Sequence, residues 1–166
     1  YESYTEFLSN ILNCLFIGLE IPNGNFSTMT ETLELERVYS IYQTAKLLYY
    51  FGFDNFDSFF LDCKNKINSK NRRFFTDTLY LDYTIIRSIM FFSFQEVLEI
   101  MDIKNNLLEI KNKKNNFYHQ LQIIVNNTLY GNRDYANILD YFLSQMKNIY
   151  DLDIGYTCID IDPNKI

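Results

Sequence analysis

Residues 4–17 read YTEFLSNILNCLFI, and their apolar side chains recur with the period of an α-helix. The apolar positions are i, i+1, i+4, i+5, i+8 and i+9, so they fall along one side of a helix. They are Phe7, Leu8, Ile11, Leu12, Leu15 and Phe16. The pattern predicts a helix over residues 4–17 that is buried along this face, and we expect Gly18 to end it.

Helical spacing returns over most of the remaining chain. We predict further helices at residues 34–51, 55–67, 105–129 and 134–149. The residues expected on their inner faces are Leu35, Val38, Tyr42, Ala45 and Leu48, then Phe56, Phe59, Phe60, Cys63 and Ile67, then Leu107, Ile110, Phe117, Leu121 and Ile124, and lastly Ile138, Leu139, Phe142, Met146 and Ile149.

Residues that are typical of helix starts and helix ends flank several of these predicted helices. Gly52 and Gly131 are expected to end the helices that precede them, and Asp54 is expected to cap the helix at 55–67. Ser93 and Glu96 have the spacing of a capping box ahead of another helical turn.

Some stretches fit other structures. Residues 74–92 alternate like a strand at Leu79, Leu81, Tyr83 and Ile85 but also carry helical spacing, and we favour a helix. Short strands are expected at residues 19–21 and 157–161, and a loop at residues 22–32. The fold class that follows is mostly α, a multi-helix domain with at most short strands. The polar residues 68–73 suggest a boundary between residues 1–67 and residues 68–166. The sequence leaves open whether these two parts form one domain or two.

From these faces we predict one set of core residues. They are Phe7, Ile11, Leu15, Leu48, Phe59, Ile89, Phe117, Leu121, Ile124, Leu139 and Phe142.

Composition and charge exclude several classes. Of the 166 residues 48% are hydrophobic and 17% aromatic, which is enough apolar material for a core. The net charge of −6 disfavours nucleic acid and anionic lipid, apart from the local basic run at residues 111–114. No apolar run approaches the ~20 residues that span a bilayer.

Scarce alanine with abundant Asn, Ile, Lys, Tyr and Phe indicates AT-biased coding, as in a parasite, an AT-rich bacterium or a large DNA virus.

The cysteines indicate a reducing compartment. Cys14, Cys63 and Cys158 are odd in number and widely spaced, which argues against a disulfide framework. Cys14 and Cys63 are expected in the core. We therefore expect an intracellular protein, in the cytoplasm of a cell or of an infected host cell.

No motif in the sequence supports an enzyme. His119 is the one histidine, in a polar context that predicts exposure to solvent, so no zinc pair exists and a catalytic triad would have to use it. Asp151, Asp153, Asp160 and Asp162 could hold a metal but are typical of a solvated acidic tail. We predict no enzyme activity, no catalytic, cofactor-binding or metal-binding residues, and no cofactor.

Three segments in the first 67 residues follow one another in a familiar order. Residues 7–18, FLSNILNCLFIG, fit a helix that ends in the pattern Leu-x-Tyr-x-Tyr-Thr-Gly. Residues 19–21, LEI, fit a short strand that follows this helix. Residues 47–54, LLYYFGFD, fit a later pair of helices. In this order they resemble the C-terminal part of a BTB/POZ domain, especially the divergent copies carried by large DNA viruses. The resemblance covers residues 4–67 and implies protein–protein interaction, by self-association or as an adaptor. The resemblance implies that the segment with which that family usually contacts cullin ligases would lie before Tyr1, so no partner-binding residue is carried over.

Other segments in the second half are similar to the palm of family B DNA polymerases. Asp82 opens DYTIIRSIM, residues 127–131 read NTLYG, and Asp160 and Asp162 come last, in the family's order. This resemblance implies that the three aspartates bind metal ions for phosphoryl transfer. The sequence departs from the family at Ile123, where the family has lysine.

The favoured interpretation is a non-catalytic protein–protein interaction module. Its partner would be a protein, either itself in a homo-oligomer or another chain, and neither nucleic acid nor a membrane. An exposed apolar helix face, such as surplus Phe and Tyr at residues 49–60, would mark this function. The alternatives are an acidic inhibitor or immunity-type protein that covers a basic partner, and a structural subunit of a larger viral assembly.

Overall fold

The computed structural model describes residues 2–20, 25–59, 78–101 and 114–146. Nearly all of them are helical, and no strand occurs within these ranges. The helices are α1 (Glu2–Glu20), α2 (Phe26–Tyr50), α3 (Thr78–Phe92), α4 (Phe94–Ile100), α5 (Lys114–Gly131) and α6 (Arg133–Met146). The prediction of a mostly α, multi-helix fold is confirmed.

Helix α1 runs through the glycine that was predicted to end it. Gly18 is buried, and a Cβ atom added there would lie 3.0 Å from Cβ of Met29 and 3.1 Å from its Cα and N atoms. The missing side chain lets α1 and the start of α2 approach closely, so Gly18 serves packing rather than termination. The strand predicted at residues 19–21 is wrong for Leu19 and Glu20, which lie in α1.

Helix α2 begins inside the stretch predicted as a loop. Asn25 caps it by accepting a hydrogen bond from the backbone N–H of Thr28 at 3.1 Å. The Thr32 hydroxyl donates to the carbonyl of Thr28 one turn earlier. The loop prediction is therefore wrong over residues 26–32, because these polar side chains find partners within the helix.

Helix α2 packs against α1, α3 and α6, which makes it the central helix of the described part. Ala45 and Leu48 are buried on its inner face and Tyr42 is half-buried, as predicted. Leu35 and Val38 are 60% and 53% exposed, so their inward assignment is wrong. Polar side chains take the inward positions in this half of the helix, chiefly Thr32, Glu36 and Ser40.

A tight turn follows α2. Gly52 has a φ of +90°, a conformation that favours glycine, and the helix ends there as predicted. Asn55 rather than Asp54 caps the helical residues 56–59, because its side chain accepts from the backbone N–H of Ser58 at 2.8 Å. Asp140 of α6 accepts from the backbone N–H of Phe56 at 2.6 Å and ties this turn to α6.

Helix α3 confirms the helical interpretation over Thr78–Phe92. The capping box predicted at Ser93 and Glu96 is wrong, since the Ser93 side chain makes no capping hydrogen bond. Ser93 is buried, and its hydroxyl is hydrogen-bonded to the hydroxyl of Thr128 in α5 at 3.0 Å. Ser93 occupies the N-cap position of α4, and its side chain joins α4 to α5 instead of capping the helix.

Helices α5 and α6 complete the described part. Leu121 and Ile124 of α5 are buried as predicted, and so are Leu139 and Met146 of α6. Ile138 is 38% exposed, which corrects its inward assignment.

Two clusters of buried apolar side chains hold the helices together. The first joins α2, α3, α6 and the turn at 53–59 around Leu48, Ile89 and Tyr135. The second joins α1, α4, α5 and the end of α3, where the rings of Phe7 and Phe91 meet edge to face with centroids 4.9 Å apart. Both clusters combine helices from before and after residue 67, and the division into 1–67 and 68–166 stays a prediction.

Of the eleven predicted core residues, seven are buried and three are half-buried. Leu15 is the exception, at 36% exposure, and its assignment to the core is wrong. Ile11, Phe117 and Phe142 lie at the edge of the clusters, half-buried. The residues found buried as predicted are Phe7, Leu48, Phe59, Ile89, Leu121, Ile124 and Leu139.

Several predictions fall outside the described residues. They concern Phe60, Cys63, Ile67, Leu107, Ile110, Ile149, Cys158, the joint at 68–73, the strand at 157–161 and the acidic tail.

Candidate interaction surface on helix α1

Four large apolar side chains on α1 face solvent. Leu12, Leu15, Phe16 and Leu19 are 40%, 36%, 56% and 69% exposed. Their spacing of i, i+3, i+4 and i+7 puts them on one face of the helix, and we call this face the outer stripe. A contiguous exposed apolar face on one helix is typical of a site where another protein docks.

The opposite face of α1 is fully used by the fold. Phe7, Cys14 and Ile17 are buried, and Gly18 is pressed against the start of α2. Helix α1 is therefore apolar on two faces, one towards the core and one towards solvent.

The sequence contains a signal for the outer face that the prediction misses. Leu8, Leu12, Leu15 and Leu19 follow a 4-3-4 spacing, which we call the leucine row. This is the spacing of a helix–helix seam in a coiled coil. The prediction merges Leu8, Leu12 and Leu15 with the core-facing residues into a single stripe and assigns Leu19 to a strand. Together the two sets cover too wide an arc for one buried face.

A buried polar contact fixes which face of α1 points outward. Asn10 donates a hydrogen bond from Nδ2 to Oε1 of Glu36 in α2 at 2.9 Å. Both side chains are almost fully buried. A rotation of α1 about its axis would break this bond and bury the polar pair without it, at a cost of about 1–3 kcal/mol or more. The outer stripe is thus held in place from beneath.

Cys14 lies on the same buried side of α1, as predicted. Burial raises the pKa of its thiol to about 11, and the nearby carboxyl group of Glu36 adds to the rise. The thiol is therefore protonated at neutral pH and suited to packing rather than to nucleophilic chemistry.

The charges of α1 lie at its ends. Glu2, Glu6 and Glu20 are its only charged residues, and none occurs from residue 7 to residue 19. Oε2 of Glu6 lies 3.7 Å from Nη1 of Arg87 in α3, and this guanidinium is almost fully buried. The outer stripe can consequently be covered without burying a charge.

Within residues 49–59, which the structure describes, the aromatic side chains do not form the exposed surface that we expected. Phe53, Phe56 and Phe59 are buried in the first cluster, and their rings pack edge-on or tilted against one another. Among the described residues 49–59, Tyr50 is exposed, at 67%. That expectation is wrong for the buried phenylalanines, which build the core.

A polar groove of about 730 Å³ lies at the corner between α5 and α6. Its lining includes Glu96, Asn126, Tyr130 and Arg133. Nothing in this lining selects one class of ligand, and we assign the groove no function.

The residues of the polymerase-like pattern are only partly placed. Residues 127–131 form the end of α5, where Thr128 is buried against Ser93. Asp82 belongs to α3, and its side chain, with Asp160 and Asp162, lies outside what the structure describes. His119 is exposed, as predicted.

Two findings concern the described part alone. In those four ranges, no group of three or more His, Cys, Asp or Glu side chains is placed to hold a metal ion. None of the described helices is long and apolar enough to cross a membrane.

Comparison with protein-family models, curated proteins and solved structures finds no match for this chain.

Proposed function

We propose that this chain is a non-catalytic protein–protein interaction module that docks a partner helix on the outer stripe of α1. The observation that carries the proposal is the solvent exposure of Leu12, Leu15, Phe16 and Leu19 on a helix whose other face is locked into the core. Contiguous exposed apolar faces of this kind mark sites of protein–protein interaction.

The shape of the surface supports a helix as the partner. Helices pack by fitting ridges of side chains spaced i, i+3 and i+4 into the grooves of another helix. The leucine row supplies such a ridge, with the 4-3-4 spacing that knobs-into-holes packing uses.

The available energy fits a moderate affinity. Complete burial of an exposed Leu or Phe side chain contributes roughly 1.5–3 kcal/mol. The four side chains are between 36% and 69% exposed, so covering them contributes about 4 kcal/mol from this side of the interface. The partner's buried surface adds to this, and the loss of rotational and translational freedom on association subtracts from it.

The test separates docking from folding. We would replace Phe16 and Leu19 together by serine and measure thermal unfolding in dilute solution. If the outer stripe serves docking, the melting temperature stays within about 1–2 °C of the wild type, because the lost contacts belong to a partner. If the partner is a second copy, the same variant should also lose the self-association that light scattering measures at high concentration.

A matched control is Tyr141→Ser, since Tyr141 of α6 is 62% exposed and lies away from the outer stripe. It should alter neither property. A stability loss above about 2 kcal/mol in the double variant at dilution would show that these residues pack within their own chain, and would overturn the proposal.

One observation favours the acidic-binder alternative. The α1–α2 hairpin exposes Glu2, Glu20, Glu31 and Glu34, and of these Glu34 is paired with Arg37. A basic partner held by these carboxylates would dissociate as salt rises. Association through the outer stripe would persist or strengthen, so a salt series separates the two functions.

A further inference from the structure

We infer that the helix which covers the outer stripe is α1 of a second copy, running antiparallel, with Leu12 of each copy against Leu15 of the other. This inference rests on the proposed function and names its partner.

The leucine row is complementary to itself. The apolar core positions of a heptad repeat are called a and d. In an antiparallel pair of helices, each a position packs against a d position of the other helix. A twofold axis between residues 13 and 14 places Leu12 against Leu15 of the partner copy and Leu8 against Leu19. Leu8 is half-buried and packs against the second cluster, so the seam is formed chiefly by Leu12, Leu15 and Leu19. A symmetric dimer of this kind uses one patch twice.

The helix dipoles favour the antiparallel direction. The helix has carboxylates at both ends, Glu2 and Glu6 near the first turn and Glu20 in the last. A parallel pair would place each end of α1 beside the same end of the other copy. Like charges would then be close together, and the two helix dipoles would be aligned. An antiparallel pair opposes the two dipoles, and it sets Glu20 across from Phe7 of the other copy, one residue from Glu6.

The size of the surface sets the expected strength. Stable interfaces bury roughly 800 Å² on each partner, which is more than four partly exposed side chains supply. The seam is also shorter than two heptads, although α1 is already folded and so loses little freedom on pairing. We therefore expect a reversible dimer with a dissociation constant of about 10 μM or weaker. Because each copy carries a charge of −6, dimerisation should strengthen as salt screens the repulsion.

The test uses complementary charges in the full chain. Leu12→Glu and Leu15→Lys change positions that are 40% and 36% exposed, and circular dichroism checks that both variants remain folded. Each alone buries a charge against leucine twice per dimer, and its dissociation constant should rise by about tenfold or more. Mixed in equal amounts, the two should form a heterodimer. One of its two central contacts then pairs the introduced carboxylate with the introduced ammonium group, and the other keeps Leu12 against Leu15.

Sedimentation velocity on the wild type, each variant and the mixture gives the masses. A mixture that dimerises while each variant alone stays monomeric supports the antiparallel register. A mixture that stays monomeric beside a dimeric wild type overturns the register and leaves the outer stripe as a docking site. A wild type that is monomeric at every concentration and salt overturns self-pairing, while the double-serine stability test still decides the proposed function.

Discussion

Nδ2 of Asn10 donates a hydrogen bond to Oε1 of Glu36 at 2.9 Å, across the buried interface between α1 and α2. This bond ties the inner face of α1 to the central helix and leaves the outer stripe towards solvent. A polar contact in an otherwise apolar interface is well suited to fixing register, because any other rotation of the helix leaves it unmade.

Replacing Asn10 by alanine should test that role. The variant loses a hydrogen bond to a buried carboxyl group, and we expect the free energy of unfolding to fall by about 1.5–3 kcal/mol. Urea unfolding followed by circular dichroism measures the change. Ser9→Ala, at an exposed neighbouring position, should stay within about 0.5 kcal/mol of wild type. Equal effects from both variants would contradict a special role for Asn10.

The close contact at Gly18 predicts that an alanine there lowers the stability of the protein, whereas helix propensity alone predicts an increase. Alanine favours a helix by about 1 kcal/mol over glycine. At Gly18 the added Cβ would press on the backbone of Met29, so we expect Gly18→Ala to destabilise the protein by about 1–3 kcal/mol. Gly131→Ala is the control, since nothing lies within 4 Å of a Cβ there, and it should be neutral or stabilising. A more stable Gly18→Ala protein would sink the close-packing account.

Burial of two titratable groups predicts a loss of stability at alkaline pH. The pKa of the Cys14 thiol is raised to about 11 from an ordinary value of 9.0, and burial also raises the pKa of Tyr135 well above its usual range. The folded state then holds protons that the unfolded state releases, so stability is complete below pH 9 and falls as pH rises towards 11. The urea midpoint should follow this course.

A Cys14→Ala variant isolates the contribution of the thiol. Its urea midpoint should decline less steeply between pH 9 and 11 than that of the wild type, with the remaining decline due to Tyr135 and other groups. Identical slopes in the two proteins would show that Cys14 titrates as an exposed thiol does.

Removal of the Tyr135 hydroxyl should lower the free energy of unfolding only slightly. It is hydrogen-bonded to the buried Oγ of Ser88 at 2.7 Å, and Ser88 also donates to the carbonyl of Ile85. Tyr135→Phe should therefore cost only about 0.5–1.5 kcal/mol, because Ser88 keeps one partner. Tyr141→Phe in the same helix alters an exposed hydroxyl and should cost nothing measurable. Thermal unfolding compares the two, and a larger loss at Tyr141 would contradict the assigned packing of α6.

Leu48 and Leu35 separate the two sides of α2. Leu48 is fully buried, so Leu48→Asp should unfold or severely destabilise the protein by burying an unpaired charge. Leu35→Asp introduces the same charge at a position that is 60% exposed, and the variant should remain folded. Circular dichroism and melting temperature distinguish the outcomes, and a stable Leu48→Asp protein would refute the position of this helix.

The sequence predicted the fold class and most core positions, because long apolar periods dominate helix formation. Phe7, Leu48, Ile89 and Leu139 are buried where their spacing placed them. The start of α2 was missed because its Ser and Thr residues are typical of loops, whereas here Asn25 caps the helix and Thr32 bonds within it.

The candidate site was harder to predict, for physical reasons. Periodicity shows that a helix face is apolar but does not show whether its own chain or a partner covers it. Leu15 was therefore assigned to the core, and Leu35 to an inner face, although both are exposed. The buried carboxyl group of Glu36 was also unforeseen, since Asn10, its partner across the interface, lies 26 residues away.

The central claim is that a second copy covers the outer stripe of α1. Carbene footprinting of the wild-type protein, at concentrations well below and well above about 10 μM, measures the accessibility of these side chains directly. We predict that labelling of Leu12, Leu15, Phe16 and Leu19 falls at the higher concentration, while labelling of the exposed Tyr50 and Tyr141 does not. Equal labelling of the outer stripe at both concentrations would contradict the claim.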